Sequence, residues 1–531
     1  MNKITFSLTA LLFLAASAFG ANPQMPVIPA TVFNITAYGA VGDGVKDNTT
    51  NIQNAIIAAN AAGGGMVEIP AGTFLSGPIT LLSSINLRLD SGAMLQALPL
   101  SRYPGGATNA QTFIGCDGVH DLEISGTGII DGQGAAWWAY FRTNSSIVRP
   151  MMLNLYNCNR LFIHDVTYQN PANHHCGLRG NGGNITISNL TVFTTNNSPN
   201  TDGLNFVATN SIIENCRISD GDDNIAMGST GPLNDLLITN CNFGYGHGVS
   251  IGSGISGVTN LTVINCTFTN TSSGIRVKCA RDNSLPMKNL NYLNLTMTNV
   301  NLPIVIYSYY DELGTPDHVP FSQVLAASNS LPVNSTTPMW RDITFSNLNV
   351  ISHDIAGVIW GPTELPVTNV TFIHVTNAAP KTFFFYNVHK VSIIDSVFTV
   401  SSGDTFTLCN ADITVSNSLP GAAAIRLNGA SAGTNSFTLY NANASLTNSD
   451  AFAALPITLS GSTLTISNNF SPGANSVLNY VLGTNAATIV VKGNLVLRGT
   501  NNIIAGAGFT NGTYVLATYT GTLSGTLPVL A

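Results

Sequence analysis

The segment ITISNLTVF (residues 185–193) decides the fold, because phrases of the same type follow it at nearly constant spacing. IIENCRIS (212–219), LLITNCNF (236–243) and LTVINCTF (261–268) each alternate apolar and polar residues around a central Asn. Such alternation is typical of β-strands, and a fixed period in the twenties indicates stacked repeats. The four segments therefore predict a solenoid.

The central polar residue recurs outside these segments. Its positions are Asp165, Asn189, Asn215, Asn240, Asn265, Asn294, Asn347, His374 and Asp395. Successive gaps are 24, 26, 25, 25, 29, 53, 27 and 21 residues, and the gap of 53 is interpreted as about two coils. Polar side chains stacked at the turns are predicted to share amide hydrogen bonds. The fold class is therefore predicted to be all-β, a right-handed parallel β-helix, with the handedness taken from the fold type.

The core and the first end of the solenoid are also predicted. Cys216, Cys241 and Cys266 are 25 residues apart and are expected to stack in the core as thiols. Near the N-terminus, Ile52, Ala55, Ile56 and Ala59 mark one face of a helix, which the glycines at 63–65 end. This short helix is expected to cap the open end of the β-helix, which otherwise exposes a sheet edge and core.

Three regions are predicted along the chain. Residues 1–21 have the pattern of a signal peptide, because Lys3 precedes an apolar run and small residues follow it. Residues 22–412 are the β-helix domain. Residues 413–531 are a low-charge, β-rich C-terminal extension that resembles the repeats of autotransporter-associated proteins. The chain is therefore expected to be secreted, whether into the medium, the periplasm or onto the cell surface.

Composition narrows the classes of partner. The net charge of −7 argues against nucleic acid, and no second membrane-length apolar stretch is present, so no membrane insertion is expected after signal cleavage. No CxxC or His-rich metal pattern occurs, so we predict no cofactor and no metal. Any disulfide pairing among the eight Cys stays open. The protein is expected to act as a monomer.

Four short motifs concentrate chemistry in a chain with only 8% charged residues. They are NTDG (200–203), GDDN (221–224), GHG (246–248) and RVK (276–278). With a coil period near 25, the motifs are predicted to stack on one face. Three carboxylates, one imidazole and two cations would then share a cleft suited to an acidic sugar polymer.

The chemistry of each motif follows from its residue types. Asp222 and Asp223 are adjacent, so both can enter a cleft only at a turn or bulge. Crowded carboxylates cannot all ionise easily, so one is expected to keep its proton and act as an acid. Arg276 and Lys278 lie two apart on a strand and share a face, where they can hold a substrate carboxylate.

The four motifs in this order and spacing resemble the polygalacturonases of glycoside hydrolase family 28. The opening AYGAVGDGVKDNTTNIQNAI (37–56) and IDGQGAAWW (130–138) belong to the same pattern, and the resemblance covers roughly residues 30–410. It implies an inverting, metal-independent hydrolase of α-1,4-galacturonosyl links in pectin.

The resemblance also implies a role for each site residue. Asp222 would be the general acid, and Asp202 and Asp223 would activate the water. His247 would sit beside the acid. The residues implied to contact substrate are Asn200, Arg276, Lys278 and Tyr310. The Tyr310 register is left open by its neighbours Tyr307 and Tyr309.

Some residues depart from the family pattern or have a simpler interpretation. Arg281 adds a third charge near the predicted cleft, and His174 and His175 stand where an aromatic residue is common. We interpret both histidines as structural or peripheral. Taken alone, the acidic pair could be a turn pair, and the two cations could form a solvated strand face.

Three other functions remain as alternatives. A hydrolase of rhamnogalacturonan or xylogalacturonan is the nearest. A pectate lyase on the same fold would need a base and a calcium ion, which clustered Asp side chains can bind. A non-catalytic, carbohydrate-binding β-solenoid is the third.

Overall fold

A computed structural model describes residues 21–228, 232–252, 257–281, 283–310, 329–418, 423–427, 436–440, 444–446, 456–474 and 476–526. Residues 1–20 of the predicted signal peptide lie outside them, as do residues 311–328. Within the described part of the chain, no helix has the length and apolar character needed to cross a membrane. The chain forms two compact units, divided between residues 252 and 268.

The first unit is built from short parallel strands. Its longer sheet contains Val32–Asn34, Gly65–Ile69, Ile79–Thr80, Ile85–Leu89, Ile114–Asp117, His120–Ser125, Leu153–Tyr156, Asn159–His164, Cys176–Ser188, Leu204–Glu214, Ile225–Met227, Pro232–Thr239, Val249–Gly252 and Gly257–Ile264. A second row contains Asp43–Asp47, Gly72–Ser76, Ala93–Ala97, Ile129–Asp131, Thr167–Gln169, Thr191–Phe193, Arg217–Ser219 and Asn242–Gly244. Its helices are α1 (Thr49–Ala61), α2 (Ala135–Thr143) and the 3-10 turns Ile35–Tyr38 and Leu100–Arg102.

The second unit continues the same construction. Up to residue 416 its strands are Thr267–Thr269, which begins at the unit boundary, Ser273–Lys278, Met287–Leu293, Thr296–Val300, Leu302–Tyr307, Trp340–Ser346, Asn349–Ser352, Ile355–Trp360, Val367–Ile373, Thr376–Ala379, Lys381–Ile394, Val397–Val400 and Phe406–Ser416. Beyond residue 416 they are Ala423–Leu427, Ser436–Tyr440, Ala444–Leu446, Pro456–Ser460, Thr463–Ile466, Val477–Leu482, Thr488–Val491, Leu495–Leu497, Thr500–Ala505, Ala517–Tyr519 and Leu523–Gly525.

Strand register in the first unit reproduces the spacing of the repeat. Leu161 pairs with Ile185, Ile185 with Ser211, Ser211 with Leu236, and Leu236 with Leu261, all in parallel. Parallel strands joined through a crossover take the right-handed path. The fold is the right-handed parallel β-helix, as predicted.

The gap of 53 residues in the repeat differs from the prediction of about two coils. Leu290 pairs directly with Ile343, so the 53 residues between them form one coil and not two. The extra length lies between Leu302–Tyr307 and Trp340–Ser346, in a stretch that includes residues 311–328. An insertion between strands lengthens a coil without changing the ladder, which a count of residues cannot reveal.

The central polar residues of the repeat are the corners of the coils. All nine have a positive φ, between 46° for Asp395 and 63° for Asp165. Asn and Asp tolerate this left-handed conformation better than other side chains. The predicted amide ladder is confirmed where Asn189 Nδ2 donates to Asp165 Oδ1 at 3.2 Å and Asn347 Nδ2 to Asn294 Oδ1 at 3.0 Å.

The predicted helix and core residues are also confirmed. The buried residues of α1 are Ile52, Ala55, Ile56 and Ala59. This face packs on the first strands of the unit, among them Val32–Asn34 and Gly65–Ile69. The capping helix therefore closes the apolar core at this end. The stacked thiols Cys216, Cys241 and Cys266 are buried, and all eight cysteines are free.

The C-terminal extension is β-rich, as predicted, and joins the ladder of the second unit. Phe406–Ser416 pairs with Ser436–Tyr440 and with Ala423–Leu427. Ile413 pairs with Phe437, and Phe437 with Ile457. The proposed domain boundary between residues 412 and 413 thus falls inside a strand, and it stays a prediction.

Candidate active site

The acidic motif of the first unit lies in a bend between two strands. Residues 221–224 separate Arg217–Ser219 from Ile225–Met227 and are not extended. The bend allows adjacent carboxylates to face the same side, which a regular strand would forbid. The turn required by the sequence is therefore present.

His247 brings the two carboxylates together. Its Nδ1 lies 3.3 Å from Asp222 Oδ1 and 3.5 Å from Asp223 Oδ1. Its backbone N–H donates to the carbonyl of Asp222 at 2.7 Å. The imidazole therefore lies against both acids, and its side chain remains about one-third exposed.

Glycine is required on the N-terminal side of this imidazole. Gly246 has φ +108°, and a Cβ there would lie 2.6 Å from Asp220 Oδ1 and 2.7 Å from the Asp222 carbonyl. A side chain at position 246 would push the histidine loop away from the acidic bend. Gly246 of the GHG motif is thus a packing requirement of the site.

Asp202 comes from the preceding coil and is held on both oxygens. Its Oδ1 lies 3.0 Å from Nδ1 of His174, and its Oδ2 accepts a hydrogen bond from Asn205 Nδ2 at 3.0 Å. Asn205 Oδ1 in turn accepts from Arg179 at 3.1 Å. The ring of His174 thus contacts a predicted site carboxylate, and its interpretation as structural or peripheral stays a prediction.

Asp220 is a further carboxylate that the sequence motifs did not single out. It is fully buried, and its two oxygens accept from the Asp222 backbone N–H at 3.0 Å and from Asn224 Nδ2 at 3.1 Å. Burial raises the pKa of Asp220 well above its usual range, and the charges of Asp202 and Asp222 act in the same direction. In the sequence, the one feature that could have indicated a role for Asp220 in the site is its position directly before GDDN.

His175 supports the backbone under Asp202. It is completely buried, and its Nδ1–H faces the carbonyls of Thr201 at 3.1 Å and Asp202 at 3.0 Å. Burial lowers the pKa of His175 from 6.5 to about 4. A structural role for His175 fits these contacts.

This buried histidine predicts an acid-sensitive stability. A depressed pKa in the fold means that the free energy of unfolding is undiminished above pH 6.5 and falls as the pH drops toward about 4. The shift corresponds to about 3 kcal/mol. His175→Gln should flatten this part of the pH profile in urea unfolding, whereas the exposed His353→Gln should leave it unchanged. An equal slope in wild type and His175→Gln would contradict the prediction.

The second unit carries the basic motif. Arg276 and Lys278 lie on Ser273–Lys278 and are only 3% and 4% exposed. The alternative of a solvated strand face is therefore wrong. Buried cations need compensating partners, so they indicate a specific role for this strand.

Tyr310 is the accessible member of its tyrosine group. Tyr307 and Tyr309 are fully buried in a cluster with Trp360, whereas Tyr310 is half-buried at its edge. The Lys278 ammonium lies 5.4 Å from the centre of the Tyr310 ring, within the range of a cation–π contact. These exposures favour Tyr310 over its neighbours as a ligand-contacting residue.

Arg281 is not an additional charge available to a ligand. Its guanidinium pairs with Glu364, with Nε donating to Oε1 at 2.9 Å, and also donates to the carbonyl of Asn329. Both members of the pair are buried. Glu364 therefore neutralises the charge that Arg281 adds to the basic segment.

The acidic bend also has donor atoms suited to a cation. Single ligand atoms of Asp222, Asp223 and His247 lie within 4.8 Å of one another. Oxygen and imidazole donors suit several divalent ions. The predicted independence from metal is therefore tested with a chelator below.

Clustered carboxylates beside an imidazole can supply the acid and base groups that glycoside hydrolysis requires. The model of Glycosyl hydrolases family 28 matches residues 64–376. The chain belongs to this family, and the match includes the acidic bend, the histidine loop and the basic strand.

The chain is also similar to individual polygalacturonases and to a solved structure of one. The chain is 32% identical to a probable polygalacturonase of Arabidopsis thaliana over 52% of this chain and 61% of that protein, less than two thirds of its length. It is 27% identical to an endo-polygalacturonase of Pectobacterium carotovorum over 72% of this chain and 97% of that protein. An exopolygalacturonase structure from Thermotoga maritima shares the fold with a TM-score of 0.57, at 20% identity, covering 75% of this chain and 95% of that one.

Proposed function

We propose that this enzyme hydrolyses α-1,4-galacturonosyl links of pectin with inversion at the anomeric carbon. The observation that carries the proposal is the contact of one His247 nitrogen with both Asp222 and Asp223, at 3.3 and 3.5 Å. Adjacent acids share protons unequally. One carboxyl group can therefore donate a proton while others accept one.

Asp222 is the general acid in this proposal. It is more exposed than Asp223, with 24% of its side chain accessible against 8%, so it is better placed to reach a leaving oxygen. Asp202 and Asp223 activate the attacking water, and His247 stabilises the acid by its contact with Oδ1. Inversion requires this division between an acid and a base that holds water.

The uronate carboxylate is the group that the cations recognise. Arg276 offers a planar fork and Lys278 a point charge, which together suit an anionic sugar. Tyr310 supplies a ring surface beside Lys278, and Asn200 lies beside Asp222, to which its Nδ2 donates. The proposed substrate is accordingly a polymer rich in free galacturonate.

Product analysis on de-esterified polygalacturonate, with a chelator present, tests the proposal. We expect new reducing ends, no unsaturated ultraviolet-absorbing product, and a first product of inverted anomeric configuration by proton NMR. Retained configuration would contradict the mechanism. Loss of activity with chelator, or an absorbing product, would favour a calcium-dependent lyase. Cleavage of rhamnogalacturonan or xylogalacturonan alone would reassign the substrate to that polymer. Binding of these polymers or of polygalacturonate without cleavage would favour the carbohydrate-binding solenoid.

The cellular context is proposed on the same basis. The leader pattern at residues 1–21 and a polymeric substrate support export, with the enzyme acting as a monomer outside the cytoplasm. The mode of attack, internal or from chain ends, is read from the product lengths in the same experiment. Mixed oligomers indicate internal cleavage, and a single short product indicates attack from an end.

A further inference from the structure

Arg149 is a buried cation beside the acidic bend that none of the predicted roles uses. It follows α2 and precedes the strand Leu153–Tyr156, and it is 8% exposed. Burying a guanidinium is costly unless its N–H groups are satisfied and its charge is balanced. Its contacts therefore indicate what the residue is for.

All the polar contacts of Arg149 hold one wall of the site. Nη1 donates to the carbonyls of Ala172 at 3.0 Å and Pro199 at 2.6 Å, which belong to successive coils. Nη2 donates to Asn200 Oδ1 at 2.7 Å. The guanidinium carbon lies 3.9 Å from the centre of the Phe141 ring. The Arg149 guanidinium thus binds the loop that carries Asn200 through two of its nitrogen atoms, a contact that we call the clamp.

The contact with Asn200 determines which way its amide points. Because Oδ1 accepts from Arg149, Nδ2 is directed to the other side, where it donates to Asp222 Oδ2 at 3.3 Å. The opposite amide orientation would set a carbonyl oxygen against a carboxylate. The order Arg149, Asn200, Asp222 is therefore a directed relay of hydrogen bonds.

Electrostatics agrees with this relay. Burial lowers the pKa of Arg149, and the negative charges of Asp202 and Asp222 act to raise it again. The interaction is mutual, so the guanidinium offsets part of the repulsion among these carboxylates. Asp220, Asp223 and His247 are the other titratable groups around Asp222.

We propose that Arg149 is a positioning residue that orients the Asn200 amide and, through it, the carboxyl group of Asp222. The proposal rests on the function proposed above for Asp222. A lysine cannot replace the arginine, because a single ammonium cannot serve the Pro199 carbonyl and the Asn200 amide in the same fork geometry. Charge alone is therefore insufficient.

A double-mutant cycle on polygalacturonate hydrolysis tests the relay. We expect Arg149→Met, Arg149→Lys and Asn200→Ala each to lower kcat by about 10-fold to 100-fold, as for residues that orient a catalytic group. The two Arg149 variants should change KM little, because Arg149 is buried behind Asn200. The double variant Arg149→Met/Asn200→Ala should be no slower than the worse single variant, within about twofold. Fold losses that multiply, or full activity of Arg149→Lys, would overturn the proposal.

Two controls separate positioning from stability. Arg142→Met removes an exposed arginine that donates to the Asn197 carbonyl at 2.8 Å in the same loop, and it should keep wild-type kcat. Crystal structures of wild type and Arg149→Met test the geometry without activity. The Asn200 amide should leave Asp222 Oδ2 in the variant. An Asn200 amide that does not move in the variant would overturn the relay, whatever the activity. Absence of hydrolysis by the wild-type enzyme would contradict the proposed function instead, and the crystal structures would still test the relay.

Discussion

Asp222→Asn is expected to lower kcat on polygalacturonate by about 10²–10⁴-fold, the range typical of lost general acid catalysis. The amide has nearly the shape of the carboxyl group, so the site should stay intact. It cannot deliver a proton to the leaving oxygen. Initial rates of reducing-end formation measure the loss, with KM expected to change little because the carboxyl group acts in the transition state.

Binding measurements separate this loss from misfolding. Isothermal titration of Asp222→Asn with an oligogalacturonate should give an affinity within about threefold of wild type, since a loss confined to the transition state leaves ground-state binding intact. The matched control is Asp235→Asn, at a partly buried residue of the same unit whose Oδ1 accepts a hydrogen bond from Asn260 Nδ2 at 2.8 Å. It should keep wild-type kcat. Activity of Asp222→Asn within tenfold of wild type would remove Asp222 from the acid role.

Glu364→Gln is expected to lower the free energy of unfolding of the second unit by about 3–5 kcal/mol, because it leaves the Arg281 guanidinium buried without its counterion. Glu364 also accepts from the Leu331 N–H at 3.5 Å, so its loss loosens the chain that leads into Trp340–Ser346. Urea unfolding followed by tryptophan fluorescence measures the change, since Trp340 and Trp360 lie in this unit.

The pH dependence of this pair has a definite sign. Burial acts to raise the pKa of Glu364, but the hydrogen bond and charge of Arg281, together with backbone N–H groups, outweigh it, so the pKa lies below its usual value. The stabilisation is thus present above the ordinary glutamate pKa of about 4.3 and is lost as the pH falls through the lower folded value. Glu364→Gln should remove this portion of the acid sensitivity.

A double variant and a surface control sharpen the test. Arg281→Met/Glu364→Leu removes both charges and should cost far less than Glu364→Gln alone. Asp354→Asn breaks an exposed pair with Lys381 and should cost under about 1 kcal/mol. A cost of Glu364→Gln as small as that of Asp354→Asn would show that Arg281 does not depend on Glu364.

Periodic features of this chain were predictable from its sequence. The register offsets of the first unit equal the gaps between the corner residues, and the buried face of α1 consists of the four predicted residues. The contact of Asp222 with His247 follows from the same period, since the preceding strands pair 25 residues apart. Equivalent residues in successive coils have the same surroundings, so the spacing of the sequence is enough to predict which of them meet.

The sequence by itself thus determined the β-helix, its capping helix, its corner residues and the meeting of the acidic and histidine motifs. Tertiary structure alone decided the non-periodic features. These include the single long coil ending at Trp340, the contact of His174 with Asp202, the burial of Asp220, the pairing of Arg281 with Glu364 and the clamp made by Arg149. These contacts depend on loop paths and side-chain rotamers between residues up to 83 positions apart. No repeat encodes such contacts, because each is made once, by the packing of one particular loop.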